Sequence, residues 1–201
     1  MRRPEWAAAM FLALVLSGRG VGAQVLDSIV ARVDERVVTW SEVLQEREIR
    51  RVEGEPESLR DPETVLAGLL RRYLLRAEAE KLRLPEQPGA PDQDVEALGE
   101  DAWADLARIG LDRADLEERA RERRLVDQYL ALRREMTFVP ESEIRTFYGQ
   151  QTDVFGQKSL AEVRDEVRAY LADQAFRREL EQWIERQMSE GRVSINPLPG
   201  Q

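Results

Sequence analysis

Apolar residues in this sequence recur at three- and four-residue steps, and that spacing restricts the fold more than any other feature. Leu66, Leu69, Leu70, Tyr73, Leu74 and Ala77 form one broad stripe. A second contains Leu116, Ala120, Leu125, Val126, Tyr129, Leu132 and Met136, all expected to point inward. A third runs through Leu160, Val163, Val167, Leu171, Leu180, Trp183, Ile184 and Met188. Such stripes belong to amphipathic helices that bury one face. β-Branched runs gather near the two ends. Ile29, Ala31 and Val33 alternate with Val30 and Arg32, Asp34-Glu35-Arg36 makes a turn, and Val37-Val38-Thr39 returns; Arg192-Val193-Ser194-Ile195 stands near the other end. An isolated edge is marginal, so the strands need each other. The expected fold is mainly α, a multi-helix domain with a small antiparallel β-ribbon joining its N- and C-terminal strands.

Helix boundaries follow from local chemistry. Thr39 with Glu42 has capping-box spacing, and Gly54 and Pro56 end that helix near Val52. Asp61-Pro62-Glu63 supplies a cap, a first-turn proline and an early acid for the next. Pro85, Pro88, Gly89 and Pro91 break the chain before a third helix, expected from about Asp92 with Val95, Leu98, Ala102, Trp103 and Leu106 inward. Gly110 closes it and Asp112 caps a longer fourth helix. Pro140 starts a short helix reaching Tyr148, and a polar stretch around Phe155 follows. Ser159 and Glu162 repeat the capping box for the last helix, which Gly191 stops.

The head of the sequence has the secretory pattern. Arg2 and Arg3 precede an apolar run from Ala7 to Leu16, and Val21-Gly22-Ala23 offers the small residues a signal peptidase reads. Residues 1–23 are therefore expected to be a cleaved signal peptide, and the mature protein to be exported. The run is shorter than the roughly 20 residues that span a bilayer, so no stable membrane insertion is expected after cleavage.

Composition excludes most chemistry. Histidine and cysteine are both absent, which removes the commonest general base, the commonest metal ligand, thiol catalysis and disulfides. The formal net charge of −9 argues against nucleic acid and anionic lipid surfaces as partners. Asp92, Asp94 and Glu96 alternate like the opening of a calcium loop. Ala97 and Trp103 occupy the places of its glycine and its bidentate acid, so an acidic first helical turn is the better reading. Gly156-Gln157-Lys158-Ser159 lacks the glycine before the lysine of a phosphate loop. No enzyme activity, metal or cofactor is expected. What remains is apolar surface. Phe138, Phe147, Tyr148 and Phe155 gather where the chain is least regular, and they are the candidates for lining a groove that takes extended apolar peptide, although each alone is more often a core residue.

The two ends resemble a known family. Val25 through Val33, followed by Val37-Val38-Thr39-Trp40-Ser41-Glu42, resembles the start of mature SurA-type periplasmic chaperones, where a short apolar hairpin leads into a helix. Asp34 stands where that family usually has asparagine, and Trp40 where it has an aliphatic residue. The stretch from Val163 to Ile195, with Phe176, Leu180 and Trp183, is similar to the family's closing helix and strand. The resemblance implies a SurA-like N-terminal helical domain over residues 24–148, completed by a C-terminal helix and strand over 159–201. Only the connector 149–158 stands where the family carries a parvulin-type isomerase domain, and no histidine supplies the pair typical of its site. The implied function is that of an ATP-independent periplasmic holdase for unfolded secreted or outer-membrane proteins, without isomerase activity. The alternative is an envelope adaptor with one dedicated partner.

Overall fold

The computed structural model describes residues 27–85 and 93–200. The expected signal segment, Val25-Leu26, the break from Pro88 to Pro91 and Asp92 lie outside the described residues.

The molecule is mainly helical with one small sheet. Strand β1 (Ile29–Val33) pairs antiparallel with β2 (Arg36–Thr39) on one side and with β3 (Val193–Ile195) on the other, giving the order β2-β1-β3. Arg36 belongs to β2, so the turn is tighter than the three residues expected and consists of Asp34 and Glu35. Asp34 takes a positive φ of 49°, a conformation aspartate tolerates better than bulky residues. Arg192 holds it there, donating to its carboxylate from Nε at 2.9 Å, while the Asp34 amide donates to the Arg192 carbonyl at 2.8 Å. Head and tail of the described chain are thereby closed on each other.

Helix α1 (Trp40–Val52) leaves β2 directly, and the Thr39 hydroxyl accepts from the Glu42 amide. The reciprocal half of the expected capping box is missing, because the Glu42 carboxylate turns to Tyr73 and Arg36 instead. In α2 (Pro62–Lys81) Asp61 caps both the Glu63 and Thr64 amides, and the stripe Leu66, Leu69, Leu70, Tyr73 and Leu74 is buried against β1, β2 and Val43. Leu198, beyond β3, joins the same core.

The third expected helix is two. A short α3 (Gln93–Glu96) is separated from α4 (Glu100–Arg108) because Gly99 takes an extended conformation and becomes the cap of α4. α5 (Arg113–Glu135) opens with a full capping box between Asp112 and Asp115. It runs parallel to α2, with Arg72 beside Arg119, Arg76 beside Glu122, and Ala79 in one cluster with Val126. Since α2 stops at Lys81, the last turns of α5 outrun it. Leu132 and Met136, expected inward, are exposed for that reason, Met136 by 72%.

A lobe projects from this body. α6 (Glu141–Gln150), α7 (Thr152–Phe155) and the first half of α8 (Leu160–Ser189) enclose their own core of Val139, Ile144, Val163 and Val167. The connector 149–158 is thus partly helical. The Ser159–Glu162 capping box is present, and Gly191 turns the chain at a φ of 83° into β3.

Candidate functional site

Three of the four aromatic candidates come together. Phe147 and Phe155 meet edge to face with centroids 6.2 Å apart, and Tyr148 stacks on Phe155 at 5.5 Å. Phe147 also touches Tyr170 of α8 at 5.3 Å, and the Tyr148 hydroxyl donates to the Lys158 carbonyl at 2.8 Å. All three rings are half-buried on the lobe core, so the lobe's packing depends on them. Phe138 stands apart, 81% exposed, in the loop between α5 and α6 and just beyond exposed Met136.

An open apolar recess lies elsewhere, at the corner where the tail strand leaves the sheet. It has a volume of about 450 Å³, within the roughly 300–1,000 Å³ of typical ligand clefts. Leu66, Ala67 and Leu70 of α2 form one wall, with Glu63 at the helix start. Met188 at the end of α8 and the stretch Ile195 to Leu198 form the others. The origin of the space is visible in the strand register. Ala31 pairs with Ile195 and Val33 with Val193, so the side chains of Val193 and Ile195 share the core face of the sheet, with Ser194 on the other. α2 covers β1 and β2 on that face but does not reach the end of β3, and Ile195 is left 54% exposed. Sequence periodicity identified Leu66 and Leu70 as core and missed that they also face this opening. The signal available was the small Ala67 between them, on a helix facing a strand of only three residues.

A buried carboxylate with several cationic partners lies at a different place and ties helices together. Glu46 of α1 is 4% exposed and takes Arg50 of its own helix, Arg72 of α2 and Arg119 of α5. Burial pushes its pKa up, but the hydrogen bond from Arg119 and the charges of Arg72, Arg119 and Arg50 outweigh it and hold the carboxyl at about 2. Three helices are pinned at one point, with the carboxylate ionised throughout the neutral range. Among the described residues no group of histidine, cysteine, aspartate and glutamate could hold a metal ion, and no helix is long and apolar enough to cross a membrane. No protein-family model matches the chain, and none of the curated proteins searched matches it either.

Proposed function

We propose that the protein is an ATP-independent holdase of the bacterial periplasm that shelters apolar segments of unfolded exported proteins. The observation that carries the reading is the open apolar recess beside β3, framed by a head-to-tail sheet of the kind the SurA-type resemblance implies. Exposed Met136 and Phe138 add a second apolar contact at the root of the lobe. Large apolar side chains left in water on a heavily charged, acidic protein suit transient cover of other chains, and the charge keeps the complex in solution. Release without nucleotide requires modest affinity, about −8 kcal/mol or micromolar per site.

The test is light scattering from several unrelated unfolded proteins with and without the full chain. Suppression of aggregation across clients at near-stoichiometric ratios is expected. Protection of none of them refutes the holdase and leaves a dedicated adaptor as the reading to pursue.

A further inference from the structure

The recess and the sheet meet at β3, and the hydrogen-bond pattern there specifies what can occupy them. The Asp34 amide donates to the Arg192 carbonyl and the Asn196 amide to the Val30 carbonyl, and Ser194 pairs with Arg32 between them. In an antiparallel ladder alternate residues bond to the partner strand and the others point away from it. The amides and carbonyls of Val193 and Ile195 therefore face outward from the sheet. They enter no hydrogen bond within the described residues. Their side chains lie on the core face, and that of Ile195 lines the recess.

From this coincidence we infer that the occupant is an extended polypeptide segment added antiparallel to β3 as a fourth strand, with alternate apolar side chains dropped into the recess. A strand added there lies about 4.8 Å beyond β3. Directly opposed residues of an antiparallel pair share a face, so the residues bonded to Val193 and Ile195 are those whose side chains enter the space between α2 and the tail. The added strand continues the β2-β1-β3 ladder, and Pro197, which has no amide, limits it to a short length. Backbone bonds carry no sequence information, while the recess selects only for apolar side chains, so many clients fit one edge. The acidic chain, net −9, favours segments flanked by lysine or arginine. Strand addition rests on the holdase reading and narrows its substrate class to extended, β-forming segments.

The experiment uses the full chain and the fluorescently labelled peptide Lys-Thr-Val-Thr-Leu-Thr-Val-Thr-Lys. Two versions are N-methylated, one on the Val and Leu amides and one on the inner Thr amides. Anisotropy is expected to show micromolar binding of the parent and little change on Thr methylation. Methylation of Val and Leu, which keeps every side chain and removes the amides facing β3, is expected to weaken binding at least about tenfold. Ala67→Trp, which fills the recess from an exposed position, is expected to cost a similar factor with an unchanged urea midpoint. Equal binding of all three peptides, or full binding to Ala67→Trp, overturns strand addition. Suppressed aggregation of clients without peptide binding overturns it too and leaves the holdase standing, whereas loss of both removes the two together.

Discussion

Glu46 sits among three guanidinium groups from three helices, a role that its position in the sequence conceals. Its four-residue spacing to Arg50 reads as an ordinary surface pair, because the partners on α2 and α5 are distant in sequence. Removing the charge leaves three half-buried cations facing one another, of which Arg119 keeps Glu53 and Arg50 keeps the Leu59 carbonyl, so Glu46→Gln is expected to lower stability by about 3 kcal/mol in urea unfolding. The pH dependence has a definite sign. The carboxyl has a pKa of about 2 when folded against 4.5 as a free side chain, so its contribution is complete above pH 4.5 and drains away as pH falls towards 2. The acid limb of the wild-type curve should lose about 3 kcal/mol over that window, and Glu46→Gln should lack that loss. Gly68 belongs to the same knot, since a Cβ there would strike the Arg50 guanidinium. Gly68→Ala forces that guanidinium to shift within the knot, so in the wild type it is expected to gain clearly less than helix propensity alone supplies. In an Arg50→Ala background it should gain about 1 kcal/mol from helix propensity, and chemical denaturation of the four proteins reads the coupling.

At the scale of elements, the caps and stripes were legible and the lengths of contact were not. Asp61, Asp112 and Ser159 start their helices as their chemistry requires, since a cap acts within one turn. Where α5 loses its neighbour depends on where α2 ends and on their parallel packing, neither of which local periodicity contains. The lobe also had no signature beyond its aromatics. α6 packs on α7 and α8, so damage to its core should stay local. Ile144→Ala, at a site with no exposure, is expected to cost about 2–5 kcal/mol of lobe stability, seen as faster hydrogen exchange in residues 141–155 with the sheet amides unchanged. Phe147→Ser and Tyr148→Ser should loosen the same region. Phe138→Ser should instead leave exchange untouched and weaken client binding, and faster exchange in that variant would place Phe138 in the lobe core.

The whole molecule is organised by the closure of its ends. β-Branched runs near both termini signalled a ribbon, and the structure supplies the register that joins them, with Ala31 opposite Ile195 and Val33 opposite Val193. The recess was not legible, because it opens where α2 covers β1 and β2 and stops short of Ile195 at the end of a three-residue strand, which only their packing reveals. That gap leaves apolar surface uncovered at one corner, the place we propose for the sheltering of clients. The most direct measurement compares the wild type with Ala67→Trp in suppressing the aggregation of one unfolded outer-membrane protein, at matched fold stability. Suppression by the wild type and its loss in the variant is the expected result; equal suppression by both proteins would contradict the assignment.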